Sequence, residues 1–169
     1  MELVFPTIEH KNAAWDFKQE HIDCGEMTIH GDGGLDIAAA YEDWLAKIQS
    51  DLTRDDGIYV PATVYFGVQD GRIVGVLQIR HKLNDHLMGA GGHIGCGIRP
   101  SERGKGYGSR MLALGLEKCR GLGIERALIT CNKSNAASAR VIEKNGGVQE
   151  NEFLEDNGTI VRRYWIALC

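Results

Sequence analysis

The chain has 169 residues, of which 43% are hydrophobic and 25% charged, a length and balance that give one globular domain with a core of its own. Its formal net charge of −4 argues against a nucleic-acid partner, which needs a basic surface, and mildly favours a cationic substrate such as an amine. No apolar run approaches the roughly 20 residues that span a bilayer, and the acidic start lacks a basic segment followed by an apolar one, so a cytoplasmic protein with no membrane partner is expected.

In chain order, residues 2–5 read as a strand, and Pro6-Thr7 leads into a helix over 8–22 with Ala14, Phe17 and His21 near one face. Residues 23–34, rich in glycine and acids, form a connector. A helix over 35–52 follows, because Tyr41, Trp44, Leu45, Ile48 and Leu52 recur at three- and four-residue steps. Residues 63–68 and 72–80 alternate as strands do, and Asp70-Gly71 between them signals a hairpin. Arg80 to His86 make a polar connection to a central strand that ends at Ile98. After a glycine-rich turn, a helix over 107–120 carries Met111, Leu112, Leu116 and Cys119 inward and stops at Gly121 and Gly123. A short strand over 127–131, parallel to the central one if the crossover is right-handed, precedes a helix over 135–145. Strands over 147–154 and 159–168 close the chain through Asp156-Asn157-Gly158. The order predicts an α/β architecture with antiparallel pairs at the margins of a mixed sheet and helices on both faces. It is one domain over 1–169, with a helical region over 1–60 and a sheet core over 61–168.

The five cysteines, Cys24, Cys96, Cys119, Cys131 and Cys169, are scattered and form no CxxC pair. They read as reduced, mostly buried thiols, and no metal is expected. Trp15, Trp44 and Trp165 read as core, and Arg162 and Arg163 as an exposed strand edge.

Residues 92–109 hold the strongest functional signal: a strand running through a glycine-rich turn directly into an amphipathic helix. The first N–H groups of a helix have no intrahelical acceptor and the macrodipole adds positive potential there, so such a turn binds anions. Gly104, Gly106 and Gly108 let the main chain approach a ligand, and Arg103, Lys105 and Arg110 supply charge that suits a diphosphate. A P-loop fails on spelling, since Gly104-Lys105 is followed by Gly106. A dinucleotide fingerprint fails too: the turn lies past mid-chain, and the next strand ends in Cys131 and Asn132 without an acidic ribose ligand.

The run Arg103-Gly104-Lys105-Gly106-Tyr107-Gly108, preceded by Ile98-Arg99-Pro100, resembles the cofactor motif of the GNAT superfamily of N-acetyltransferases. Asn135-Ala136-Ala137-Ser138 followed by Glu143-Lys144-Asn145-Gly146 resembles the next motif of that family. The resemblance covers roughly residues 60–168. It implies a mostly antiparallel central sheet with a parallel, splayed central strand pair, acetyl-CoA (coenzyme A) as cofactor, and direct attack of an amine on the thioester. The diphosphate is then expected on Arg103, Gly104, Lys105, Gly106, Tyr107, Gly108 and Ser109, the pantetheine arm along Cys96, Gly97 and Ile98, and the far end of the cofactor near Asn135 and Ser138.

His93 stands where many relatives carry a Glu that acts as base, and a neutral imidazole can take the acceptor's proton. A structural histidine bonded to backbone remains the other reading. The Tyr that many relatives use as acid is replaced by Ile142, leaving Tyr164, Tyr65 or water, and no acid is assigned. The usual Phe after the second motif is replaced by Gly147, and Thr130 closes an alternative Glu route. Arg80, His81, Asn84 and Asp85 line the acceptor pocket or a solvated loop; Glu20, His21, Asp23 and Glu26 hold an amine or form a charged helix end. The expected activity is acetylation of a primary amine of a small molecule by a monomer or homodimer. A protein N-terminal or lysine acetyltransferase and a non-catalytic acyl-CoA-binding module stay open beside it.

Overall fold

The computed structural model describes residues 1–168. Strands β1 (Glu2–Val4), β2 (Ala62–Gln69), β3 (Arg72–Arg80) and β4 (Ile94–Ile98) form one sheet in that order, antiparallel throughout. Strands β5 (Arg126–Asn132), β6 (Val148–Leu154) and β7 (Ile160–Ala167) form a second antiparallel sheet in the order β5-β7-β6. The helices are α1 (Lys11–Asp23), α2 (Tyr41–Ser50), α3 (Asp85–Gly89), α4 (Tyr107–Gly121) and α5 (Ala136–Lys144).

The two faces of the first sheet bury separate cores. Val64 and Phe66 of β2 and Val76 of β3 pack with Ala14 and Phe17 of α1 and Trp44 and Ile48 of α2. Leu77 and Ile79 of β3 point the other way, onto Met111, Leu112 and Leu116 of α4, and that core continues through Ala139 and Ile142 of α5 to Tyr164 of β7. Period-two alternation along β2 and β3 makes this division. The expected α/β order with helices on both faces is what forms.

Four local expectations change. Helix α2 starts at Tyr41 rather than near 35, because the buried Asp32 carboxylate takes the N–H groups of Gly34 (2.8 Å) and Asp36 (2.6 Å) and holds the segment in a turn. Burial pushes the Asp32 carboxyl up to about 6. The polar connection after β3 contains α3, which Asn84 caps by accepting the Leu87 N–H at 2.9 Å. Strand β7 lies inside its sheet, so Arg162 and Arg163 are not on an edge; they pair with Glu152 (2.9 Å) and Glu150 (3.0 Å) of β6. Trp44 is buried as expected, whereas Trp165 is half-buried under Arg126.

The expected splay between β4 and β5 is present, but the parallel ladder is not. Among the described residues the two strands meet at a single bridge, Gly92 with Ile129, and it is antiparallel in type. Gly91 (φ 104°) and Gly92 (φ 63°) turn the chain at that point, and the sheet divides in two beyond it. Among the described residues the second edge of β4 is left without a strand partner.

Candidate active site

The gap between β4 and β5 is a cleft of about 420 Å³. Ile94, Gly95 and Cys96 form one wall, and Ile129 to Asn132 with Asn135 and Ser138 form the other. His30 and Gly31, Arg80 with Gly91, and Glu155, Asn157 and Thr159 of the β6–β7 hairpin close its remaining side. A separate surface depression between Ile58 and α3, lined by Asn84, Asp85 and His86, shares no residue with it.

Residues 29–31 lie directly on β4. A Cβ built on Gly31 (φ +80°) would stand 2.2 Å from the Gly95 carbonyl oxygen, and one on Gly97 would stand 3.0 Å from the His30 oxygen. Close backbone packing therefore demands the glycines on both partners. The end of the connector, with Ile29 and Asp32 buried, is thus a packed flap of the cleft, whereas residues 23–25 are exposed.

Where β4 ends, Arg99 is buried and bolts the strand exit to α1. Its Nη1 donates to Asp16 (2.9 Å) and Glu20 (2.8 Å), and its Nε donates to the Ile73 carbonyl (2.7 Å). The chain then turns through Gly104 (φ +76°) and Gly106 (φ +85°) into α4. A Cβ at either glycine would meet nothing within 4 Å, so backbone conformation, not crowding, selects glycine there. Among the described residues no side chain caps α4, and the first N–H groups of a helix have no intrahelical acceptor. A Cβ built on Gly108 would stand 3.5 Å from Val141, a cleft-lining residue, which sets the turn at the cleft's mouth. Asn145 ties the two neighbouring helices together, donating to Ser109 (3.2 Å) and Val141 (2.8 Å).

Of the expected cofactor residues, Cys96, Asn135 and Ser138 line the cleft, Gly97 and Ile98 carry β4 on to the turn, and Arg103 to Ser109 form the turn itself. The cations are not free. Arg103 forks onto Glu26, with Nη2 2.7 Å from Oε2, and its Nε donates to the Ile98 carbonyl. The contact with Arg103, foremost, holds the Glu26 carboxyl down at about 2. Lys105 pairs with Glu102 (2.9 Å), leaving Arg110 as the cation of the turn without a carboxylate among the described residues. The Asn135 Oδ1 is occupied as the cap of α5, accepting the Ser138 N–H at 2.9 Å. Burial pushes the Cys96 thiol up to about 11, so it stays protonated.

His93 stands beside the cleft rather than in its lining. Its Nδ1 accepts the Leu128 N–H at 2.9 Å, its own N–H donates to the Leu128 carbonyl at 2.7 Å, and it is not part of the cleft lining. The neutral ring therefore carries its proton on Nε2. Burial and then the nearby Arg80 charge pull its pKa down to about 4, so the ring is neutral near pH 7. His93 is a strut across the closed end of the splay. Neither tyrosine considered as acid reaches the cleft: Tyr164 is fully buried with its hydroxyl donating to Glu143 (3.3 Å), and Tyr65 packs beside the α4 core. Ile142 lines the cleft, and Gly147 follows because a Cβ there would stand 2.4 Å from the Ile142 side chain.

The group Glu20, His21, Asp23 and Glu26 does not face the cleft; Glu20 and Glu26 serve Arg99 and Arg103, and His21 Nδ1 contacts Glu26 at 2.8 Å. Arg80 does reach the cleft, whereas His81 bonds Thr63 instead. His30, Glu155 and Asn157 are polar residues of the cleft that no local motif announced.

Solved structures share this arrangement of elements. The protein yncA of Salmonella typhimurium, solved with its cofactor acetyl-CoA, is 15% identical and superposes with a TM-score of 0.68, covering 99% of this chain and 94% of that one. Mycobacterium smegmatis RimJ, in complex with CoA-disulfide, is 18% identical with a TM-score of 0.73, covering 98% and 80%. Spermidine N-acetyltransferase SpeG of Vibrio cholerae, solved as a point mutant, is 13% identical with a TM-score of 0.66, covering 99% and 95%. No curated protein sequence matches at a significant level. The sequence profile of the Acetyltransferase (GNAT) family matches residues 31–147, from the flap over β4 to the end of the second motif, and on that match the chain belongs to this family of acyltransferases.

Proposed function

We propose that the protein transfers an acetyl group from acetyl-CoA directly to a primary amine of a small molecule. The observation that carries this reading is the junction of two features: a cleft along the unpartnered edge of β4, and an uncapped, glycine-built helix start at its mouth. The Cβ positions of Gly104 and Gly106 look into open space, which leaves room for a diphosphate against the amides of Gly104 to Ser109. Acetyl-CoA supplies the activated thioester. The main chain of Cys96 to Ile98 would hold the pantetheine arm, and an amide there would polarise the acetyl carbonyl. Arg110 offers the turn's unpaired charge, Arg103 and Lys105 join once released from Glu26 and Glu102, and Asn135 and Ser138 flank the cofactor at the α5 end.

The acceptor amine enters from the side of the flap. Its proton leaves to the polar groups that this side offers, His30 and Glu155, or to water; His93 orients Leu128 and Arg80. With Ile142 in the place of a tyrosine, the coenzyme's sulfur would leave as the thiolate, taking the electron pair of the broken C–S bond, as a thiol that ionises near the cysteine value of about 8.5 can.

The test is release of free thiol from acetyl-CoA, read with a chromogenic reagent across polyamines, aminoglycosides, amino acids and peptides. Release that depends on an added small amine is the expected outcome. Release with peptides or proteins alone would replace the small-molecule acceptor, and tight coenzyme binding without turnover on any acceptor would overturn the reading.

A further inference from the structure

The acceptor side of the cleft contains a half-buried cation that has no counter-ion among the described residues. Arg80 is the last residue of β3; its backbone N–H donates to the His93 carbonyl at 2.8 Å, and its side chain borders the cleft. Nη1 donates to the carbonyls of Gly91 (3.2 Å) and Gly92 (3.0 Å). Those bonds use both Nη1 hydrogens and fix the plane of the guanidinium. Nε–H and Nη2–H, the two parallel donors on one edge of the fork, have no acceptor among the described residues.

Arg72 is balanced by Glu20 and Glu102, Arg99 by Asp16 and Glu20, Arg103 by Glu26, and Arg162 and Arg163 by Glu152 and Glu150, whereas Arg120, which donates to the Leu168 carbonyl, is exposed. Among the described residues no carboxylate lies within 4 Å of Arg80. Burial alone holds its pKa below the ordinary arginine value. A half-buried guanidinium held by one nitrogen, with the other edge of its fork open to the cleft, is a ready site for an anion. Across the cleft, Glu155 has the complementary shortage: its side chain contacts the Asn157 amide at 3.4 Å, and among the described residues no cation pairs with it. The cleft therefore presents a lone guanidinium and a lone carboxylate on its acceptor side.

We propose that the acceptor is a free α-amino acid, its carboxylate held bidentately by the Nε–Nη2 edge of Arg80 and its nitrogen lying on the Glu155 side. This rests on the acetyl-transfer reading above and narrows it. A carboxylate matches the spacing of the open edge of the fork. A polyamine has no group for Arg80 to bind, and a peptide N-terminus carries an amide where the carboxylate is needed.

The experiment compares, on the wild-type protein, free amino acids with their methyl esters and with polyamines, reading thiol release together with calorimetric binding in the presence of coenzyme A. A charge-assisted bidentate pair predicts that each productive amino acid exceeds its ester by roughly ten- to hundredfold in kcat/KM, with a matching gap in affinity. Arg80→Lys narrows that ratio and Arg80→Gln narrows it further, while coenzyme A affinity in both stays at the wild-type value. Equal use of acid and ester, or turnover confined to polyamines, overturns the role of Arg80 and leaves acetyl transfer standing. Loss of both coenzyme binding and turnover in the wild type overturns both. Because Arg80 also anchors Gly91 and Gly92, the ester comparison decides the matter even if its variants fold poorly.

Discussion

Between Ile98 and Ser109 the cleft's mouth is built from main chain: glycines at positive φ and a helix start that no side chain caps. Across from it, the flap over 29–31, Arg80 and the β6–β7 hairpin form a wall of side chains and close contacts, drawn from three distant parts of the chain. The first wall depends on local dihedral angles and tolerates bulk until a ligand arrives. The second depends on packing over long sequence distances, and a single added carbon can open it. The same change, glycine to a larger residue, should therefore damage stability on one side and ligand binding on the other.

The largest effect is expected at Gly31. Its φ of +80° strains any side chain, and a Cβ would stand 2.2 Å from a backbone oxygen of β4, which no rotamer relieves. Gly31→Val should cost about 2–4 kcal/mol in denaturant unfolding, combining overpacking with left-handed strain. It should displace the flap and abolish acceptor turnover, while coenzyme A still binds at the turn. Wild-type turnover in this variant would show that the flap is not part of the acceptor site.

At Gly106 the order of damage reverses. A Cβ there meets nothing within 4 Å, so Gly106→Trp should cost only about 1–2 kcal/mol of stability, the strain of an L-residue in the left-handed region. Its side chain would occupy the diphosphate position, and coenzyme A affinity measured by calorimetry should fall by about a hundredfold. Unchanged affinity would remove the turn from the cofactor site.

The same division explains what could be read from the sequence. The turn is legible because it is contiguous: the residues from Arg103 to Gly108 spell their own backbone geometry. The flap is not, since the need for Gly31 and Gly95 arises only when residues far apart in the chain touch. The early start expected for α2 failed for a local reason, the Asp32 turn, which outcompetes an apolar period that continues through Leu35. Most instructive is His93. Its position in the strand matches a base, but what the ring does is decided by the Leu128 N–H, on a strand 35 residues away.

His93→Ala sharpens the comparison at the point where the walls join. Leaving the buried Leu128 N–H without an acceptor should cost about 1–3 kcal/mol. The folded ring has a pKa of about 4 against 6.5 unfolded, so the unfolded state takes up the proton first. Stability from this group is whole above pH 6.5 and drains away as pH falls toward 4. Urea midpoints measured across that window should fall steeply in the wild type and less so in the variant. The acid limb of turnover should survive in whatever activity remains; its disappearance would return His93 to the role of base.

The smallest effect belongs to an ion pair that joins the flap's root to the turn. Glu26 holds Arg103 through a two-pronged contact, and both side chains are partly exposed, at 34% and 48%. An exposed pair contributes about 0–1 kcal/mol, so Glu26→Gln should leave the melting temperature nearly unchanged. Its effect on the coenzyme runs in the opposite direction to that of Gly106→Trp. A diphosphate at the turn must draw the Arg103 guanidinium away from a carboxylate held at about 2, foremost by that very contact, and therefore fully charged at neutral pH. Removing the competitor should tighten coenzyme A binding by roughly two- to fivefold at low salt, and added salt should erase the gain by screening both partners. If Arg103 only braces Ile98, affinity will not move, and the amides of the turn carry the diphosphate with Arg110 alone.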